Sequence, residues 1–272
     1  MLNRRQARPA RVLRRAAILG PLLLALLPLT PARAAIKGGG FVWVNRLTFT
    51  GTTPPRPFAT LSKYEFSGAH VNSLNPKIDA FGRGMAVDGA DLFYSVVDAS
   101  GVGDGRIHWL VGGASDVLLP DPSDDDGDPS GIGALDFNRG TLWAISLNES
   151  PNVLYGIDLF TQQVMASCSV VGSFLTDTLA VKGGTFLTDG GGTSPLTLTE
   201  YELPIMIGAG SCVSTGESFT LSFGVRGIDH VHGSRLLASD GSSVHDLGRR
   251  PYAASLGSFP VVDGWDISVT FK

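Results

Sequence analysis

Residues 178–188 read Thr178-Leu-Ala-Val-Lys-Gly-Gly-Thr-Phe-Leu-Thr188, which is two short apolar runs separated by a glycine pair. Glycine turns between short apolar runs predict β-hairpins. The same pattern returns from Gly84 through Leu92, from Gly133 through Gly140, and from Gly227 through Arg235. Each copy is therefore interpreted as a first strand, a turn and a second strand.

The spacing of the copies predicts the architecture. The apolar residues before the four turns are Val87, Leu135, Val181 and Ile228, at intervals of 48, 46 and 47 residues. A period in the forties that is built from short strands is typical of β-propeller blades. We find no long run with apolar residues at helical spacing, so we predict an all-β fold. A β-sandwich and a six-bladed ring are the alternatives.

The two ends of the chain predict how the ring closes. Gly264–Lys272 looks like a fifth first strand with no partner strands after it, whereas Gly40–Asn45 resembles a second strand and Phe58–Phe66 a third. We therefore predict five blades, with the N- and C-terminal strands sharing one blade and the C-terminal strand innermost. This arrangement would leave no free edge between the first and last blades. The interval from Ile228 to Trp265 is only 37 residues, so the blade between them must be compact.

The first 34 residues have the features of an export signal. Six arginines precede the apolar run Ala16–Leu29, and Ala32-Arg33-Ala34 follows as a cleavage sequence of small residues. The apolar run has about 14 residues, whereas a membrane span needs roughly 20. We predict a cleaved signal peptide over residues 1–34 and a single propeller domain over residues 35–272. We expect no membrane span after cleavage and a periplasmic or extracellular location.

The charge of the exported part limits its partners. Seven of the 21 basic residues and none of the 25 acidic residues lie in the first 34 positions, so residues 35–272 carry a formal charge of −11. Each phosphate contact requires a Lys or an Arg, so we expect no nucleic-acid partner. A monomer that binds a small molecule, a glycan or a protein is the expectation.

Cys168 and Cys212 are the two cysteines of the chain. An oxidising compartment favours a disulfide between them, and two separately buried thiols are the alternative. Neither cysteine has a histidine or a second cysteine at metal-ligand spacing.

A family resemblance adds positions for a site. Leu154-Tyr-Gly-Ile-Asp-Leu-Phe-Thr-Gln-Gln-Val164 and the Gly-x-x-Asp first strands resemble exported propellers of the broad NHL-type and gluconolactonase-like group. Gln162 stands where that group usually has Gly, and neither its six blades nor the acidic residue that opens its first inner strand is evident here. The resemblance implies a ligand or metal where each second strand leaves the sheet. The matching positions are Asn45, Asp98, Asn148, Asp189 and Asp240.

Two interpretations remain open for these five positions. Their oxygens would suit Ca²⁺ if they converged on a central channel. Alternatively, each residue would hydrogen-bond to its own backbone where the strand ends. A second polar set follows the aligned apolar residues, and there we favour hairpin turns over a ring that faces a ligand. This set comprises Asp88, Asp136, Lys182, Asp229 and Asp266.

The acidic segment Asp121–Asp128 partly resembles a calcium-binding loop. Asp124, Asp126 and Asp128 lie at plausible offsets around Gly127, but an Asp at position 122 and a closing Glu are missing. Ca²⁺ is therefore a candidate cofactor here, and a solvated acidic loop is the alternative.

No recognisable catalytic motif supports an enzyme. The sequence contains no Gly-x-Ser-x-Gly, phosphate loop or His-Glu-x-x-His. The first hypothesis is a binding module that takes its ligand at the channel face. The second is a metal-dependent hydrolase of lactones or esters at the same face.

Overall fold

The structure is a computed structural model that describes residues 36–270 with short gaps. The gaps are residues 79, 99, 101, 114, 125–129, 172–175, 190–195, 232–234, 253 and 262–263. The predicted signal peptide, Asp126 and Asp128 lie outside the described residues. Within the described residues, no helix is long and apolar enough to cross a membrane.

Five four-stranded antiparallel sheets form the blades of a propeller. Blade 1 contains β1 (Phe41–Phe49), β2 (Pro57–Glu65), β3 (His70–Ile78) and β20 (Gly264–Thr270). Blade 2 contains β4 (Phe81–Asp88), β5 (Asp91–Val97), β6 (Arg106–Val111) and β7 (Ser115–Pro120), followed by a 3-10 helix over Pro122–Asp124. Blade 3 contains β8 (Gly131–Asn138), β9 (Thr141–Leu147), β10 (Asn152–Asp158) and β11 (Gln163–Val170). Blade 4 contains β12 (Ala180–Lys182), β13 (Thr185–Asp189), β14 (Leu196–Glu202) and β15 (Ser214–Leu221). Blade 5 contains β16 (Gly227–Val231), β17 (Arg235–Ser239), β18 (Ser243–Asp246) and β19 (Gly257–Pro260).

The ring closes as predicted, through strands from both ends of the chain. β20 is the inner strand of blade 1 and pairs antiparallel with β1, with Phe41 opposite Thr270 and Val44 opposite Ile267. Each inner strand contacts the next around the ring, in the order β20, β4, β8, β12, β16 and again β20. The five-bladed prediction is confirmed, and blade 5 has the short strands that its 37-residue interval required.

The core lies between the blades, because each blade has two neighbours and buries an apolar face against each. The described residues form five apolar clusters, one between each pair of adjacent blades. Between blades 2 and 3, one cluster contains Phe93, Leu135 and Leu142, and all three side chains are almost fully buried. Burying one such side chain contributes about 2 kcal/mol.

The turns explain why the repeats were visible in the sequence. Arg139 and Gly140 both have positive φ between β8 and β9, as a two-residue hairpin turn of type I′ requires. Gly183 and Gly89 have positive φ in the equivalent turns of blades 4 and 2. The hairpins set the register of each inner strand against its second strand.

Cys168 and Cys212 form a disulfide, as predicted. This disulfide links the segment between β14 and β15 to β11, the outer strand of blade 3. The backbone N–H of Ser169 donates to Gly210 O at 2.8 Å, and that of Cys212 donates to Ser169 O at 2.8 Å. These bonds cover part of a sheet edge that would otherwise present free backbone groups.

Candidate functional site

Four of the five positions implied by the family resemblance lie where second strands end. Asp189 is the last residue of β13, and Asp98, Asn148 and Asp240 directly follow β5, β9 and β17. Asn45 lies inside β1, next to an irregularity in its pairing with β20. Because inner and second strands are antiparallel, inner strands begin at the face where second strands end. We call this the strand-exit face.

Asp98 and Asp240 bond to the backbone that follows them. Asp98 Oδ1 accepts the N–H groups of Ser100 and Val102 at 2.7 and 3.0 Å. Asp240 Oδ1 accepts those of Ser242 and Ser243, both at 2.7 Å. These are the turn contacts that short acidic side chains commonly make. They are the contacts that the second interpretation expects at these two positions.

Asn45 and Asp189 are buried and join neighbouring segments. Asn45 Nδ2 donates to Gly84 O at 3.1 Å and to Ser95 O at 3.3 Å, which links blade 1 to blade 2. Its Oδ1 is buried and has no hydrogen-bond partner among the described residues. Asp189 Oδ1 accepts the hydroxyl of Thr178 at 2.8 Å. Asn148 has a φ of 67°, the left-handed conformation that Asn tolerates in turns.

Among the described residues, no group of three or more His, Cys, Asp or Glu side chains is placed to hold a metal ion. Of the acidic loop, Asp124 ends the 3-10 helix, and Asp121 accepts the backbone N–H of Ser123 at 2.8 Å. The calcium site around Asp124, Asp126 and Asp128 stays a prediction, because most of that loop lies outside the described residues.

Three carboxylates of the second polar set are buried on the inner strands. Asp136, Asp229 and Asp266 are at most 7 % exposed. Each accepts a backbone N–H from the inner strand of another blade. Asp136 Oδ2 takes the N–H of Val181, Asp229 Oδ2 takes that of Val269, and Asp266 Oδ2 takes that of Met85. The turn interpretation is therefore wrong for these three residues, which tie the inner strands together around the axis.

Burial dominates the electrostatics of these carboxylates. It raises the pKa of Asp229 to about 7 and the pKa values of Asp136 and Asp266 well above their ordinary value. Repulsion from Asp229 adds to the rise at Asp136 and Asp266, whereas hydrogen bonds from backbone N–H groups oppose it. The three groups are therefore close enough to titrate as an interacting set.

Two contacts lie across the propeller axis, because they join blades that are not neighbours in the ring. Leu135 N–H in blade 3 donates to Asp266 Oδ2 in blade 1 at 3.3 Å. Arg83 in blade 2 pairs with Asp177, which precedes the inner strand of blade 4, at 2.9 Å. The Arg83 and Asp177 side chains are 17 % and 23 % exposed. This ion pair therefore places two partly exposed charged groups near the propeller axis at the strand-exit face.

Two further charged groups lie at the strand-exit face. Arg226 directly precedes β16, and Asp189 ends β13 beside the segment that carries Asp177. Burial lowers the pKa of Arg83, Asp177 opposes this, and Arg226 lowers the Arg83 pKa further. Burial raises the pKa of Asp189 to about 6, and Asp177 contributes to that rise. Arg83, Asp177, Asp189 and Arg226 are named the channel-mouth cluster.

The channel-mouth cluster combines groups for binding polar ligands. A guanidinium binds carboxylates and phosphates in a fixed, bidentate geometry, and a carboxylate accepts from ammonium and hydroxyl groups. Asp189 was among the positions implied by the resemblance, whereas Arg83, Asp177 and Arg226 were not identified. The signal for Arg83 was a charged residue between two glycines in an inner strand, Gly82-Arg83-Gly84.

Comparisons with known proteins show the fold and no family. No protein-family model and no curated protein matches the chain. A chain of the nidogen/laminin complex is 11% identical, with a TM-score of 0.50, and the match covers 85% of this chain and 98% of that one. Glutaminyl cyclase of Myxococcus xanthus is 13% identical, with a TM-score of 0.46, over 80% of this chain and 87% of that one. BamB of Moraxella catarrhalis is 14% identical, with a TM-score of 0.34, over 78% and 63% of the two chains. At 11% identity, the match to the nidogen/laminin chain shows a shared fold alone, and no comparison shows membership of the NHL-type or gluconolactonase-like group.

Proposed function

We propose that this protein is an exported binding module that takes a small molecule, a glycan or a segment of a protein partner at the channel-mouth cluster. The ion pair between Arg83 and Asp177 carries the proposal, since it places two partly shielded charges across the channel axis. Asp189 and Arg226 add one charge of each sign beside them. Ligand sites in proteins typically combine a concave, shielded surface with a few converging polar groups.

Export is supported by two features. The arginine-rich, apolar N-terminal segment has the composition of a signal peptide, and Cys168 and Cys212 are joined by a disulfide. Structural disulfides persist mainly in oxidising compartments outside the cytoplasm. The proposed location is therefore the periplasm or the extracellular space.

A thermal-shift screen of the purified protein tests the site. The probes are free amino acids, dicarboxylates, sugar phosphates and neutral oligosaccharides, each added separately. A probe at 100 times its dissociation constant stabilises the folded state by about 2.7 kcal/mol, which raises Tm by roughly 5–10 °C. A shift with the amino acids, dicarboxylates or sugar phosphates would indicate a charged ligand, and a shift with the oligosaccharides would indicate a neutral glycan.

Matched variants then assign the binding site. Arg226→Ala and Asp189→Asn change the channel-mouth cluster, whereas Asp88→Asn changes an exposed carboxylate at the other end of an inner strand. A stabilising probe should lose its effect in the first two variants and keep it in the third. A probe that shifts all four proteins equally would place binding elsewhere and contradict the proposal.

A further inference from the structure

Three side chains of blade 5 form a hydrogen-bonded chain at the protein surface. His245 Nε2 lies 2.9 Å from Asp240 Oδ2, and His245 Nδ1 lies 3.3 Å from Ser255 Oγ. Ser255 is exposed, whereas the His245 and Asp240 side chains are 14 % and 23 % exposed. A hydroxyl, an imidazole and a carboxylate in this order are the parts that nucleophilic serine hydrolases combine.

Other contacts hold the carboxylate and the imidazole in place. Asp240 Oδ1 accepts two backbone N–H groups of the following turn, so its Oδ2 is left directed at His245. Burial would raise the pKa of Asp240, but hydrogen bonds from His245, Ser242 and Ser243 lower it below its ordinary value. The ring of Phe223 packs against the imidazole of His245 at a centroid distance of 4.5 Å.

The orientation of the imidazole suits a general base. An ionised Asp240 accepts the proton on Nε2 and so favours the tautomer in which Nδ1 carries a lone pair. That lone pair faces Ser255 Oγ. The hydroxyl also lies 3.0 Å from Gly257 O, so its proton must turn from that carbonyl toward His245 before reaction. This rotation moves no heavy atom.

We propose that Ser255, His245 and Asp240 form a nucleophilic site that cleaves activated esters, independently of the channel-mouth cluster. In acylation, Ser255 Oγ bonds to the ester carbonyl carbon, and the bond from that carbon to the leaving oxygen breaks. His245 Nδ1 takes the hydroxyl proton and delivers it to the leaving oxygen. In deacylation, water attacks the acyl carbon and releases the acid, its proton passing through His245 back to Ser255 Oγ.

Activated esters are the expected substrates because Ser255 is open to solvent. A good leaving group reduces the stabilisation that the carbonyl oxygen needs in the transition state. Aryl esters and fluorophosphonates are therefore expected to react, and amides are not. Asp240 is a positioning residue in this scheme, because within the described part of the chain its side chain hydrogen-bonds to His245 and to its own turn alone.

The chain contains a matched control for this geometry. His70 Nε2 lies 2.8 Å from Ser73 Oγ, and both residues are exposed. Within the described residues, no ion pair joins His70 to a carboxylate, so its tautomer is not fixed in the same way. If a surface serine beside a histidine were sufficient for reaction, Ser73 would react as well as Ser255.

The experiment is labelling of the full protein with a fluorophosphonate, followed by peptide mass spectrometry and by hydrolysis of p-nitrophenyl acetate. We expect the label on Ser255 and not on Ser73. Ser255→Ala should remove it, and Ser73→Ala should leave it unchanged. A positioned general base contributes about 100-fold or more, so His245→Ala should slow labelling by at least that factor, and added imidazole should restore part of the rate.

Asp240→Asn separates positioning from folding. The Asn oxygen still accepts the Ser242 and Ser243 N–H groups, but the side chain no longer carries the charge that fixes the imidazole tautomer. We expect slower labelling of a protein that remains folded. The proposal is overturned if folded wild-type protein is not labelled at Ser255, if Ser73 is labelled equally, or if His245→Gln and His245→Ala label at the wild-type rate.

Discussion

The buried carboxylates of the inner strands predict that the protein loses stability as the pH rises from 5 to 7. Asp229 has a pKa of about 7 in the folded protein, against about 3.9 in an unfolded chain. Between these values, the folded state holds the proton and the unfolded state has lost it. Folding therefore binds a proton, and the free energy of unfolding falls by about 1.4 kcal/mol per pH unit for such a group.

Asp229→Asn removes the titration of Asp229 while the other groups that titrate in the same range remain. It also removes the repulsion that raises the pKa values of Asp136 and Asp266, so the measured difference belongs to the interacting set. The raised pKa of Asp189, about 6, adds to the loss of stability, whereas the lowered pKa of His230, about 4, has the opposite effect up to about pH 6.5. Asn does not titrate and keeps an oxygen for the Val269 N–H. The difference in unfolding free energy between wild type and variant should therefore fall by roughly 2 kcal/mol from pH 5 to pH 7, because the slope halves as Asp229 itself ionises near pH 7.

Urea unfolding at constant ionic strength, followed by tryptophan fluorescence at each pH, measures this difference. Asp158→Asn is the control, because a hydrogen bond from the backbone N–H of Thr161 lowers the pKa of this exposed carboxyl. Its titration lies below pH 5, so the corresponding difference should be flat from pH 5 to 7. A flat or rising difference for Asp229→Asn would show that Asp229 is ionised in the folded protein and would refute the reasoning.

Four further predictions concern the ion pair, the disulfide, a close contact and calcium. Arg83→Ala should destabilise the fold by about 2 kcal/mol in urea unfolding, and the double variant with Asp177→Ala should cost less than the sum of the single variants. Replacing both cysteines by Ser should cost about 4 kcal/mol, because the disulfide closes a loop of 44 residues, and reductant should reproduce this loss in the wild type alone. Gly82→Ala should cost about 3 kcal/mol, because a Cβ there would overlap Asn45 Oδ1, whereas a Cβ at Gly184 meets no described atom within 4 Å and Gly184→Ala should be nearly neutral. Excess Ca²⁺ should raise Tm relative to chelator, and Asp126→Asn with Asp128→Asn should abolish the rise if the acidic loop is the site.

The architecture was predictable because each blade repeats the same local chemistry. The turn glycines and the apolar runs before and after them recur at nearly constant spacing, so Val87, Leu135, Val181 and Ile228 all lie on inner strands. The partial repeats at the two ends then specified the shared blade, since a lone inner strand needs partners from elsewhere in the chain. Hairpin turns and strand periodicity are local, and local patterns can be recognised in a sequence.

The candidate site was less predictable, because its contacts join blades that are far apart in the sequence. Asp266 and Leu135 are separated by 131 positions, and Arg83 and Asp177 by 94. An Asp beside a turn has the same local pattern whether it bonds to its own backbone, as Asp240 does, or to another blade, as Asp266 does. Only the closed ring distinguishes these cases, because it brings the non-adjacent inner strands within hydrogen-bonding distance. The buried carboxylates therefore link fold and stability: the backbone contacts that draw the inner strands together also take Asp229 out of water, and this burial raises its pKa.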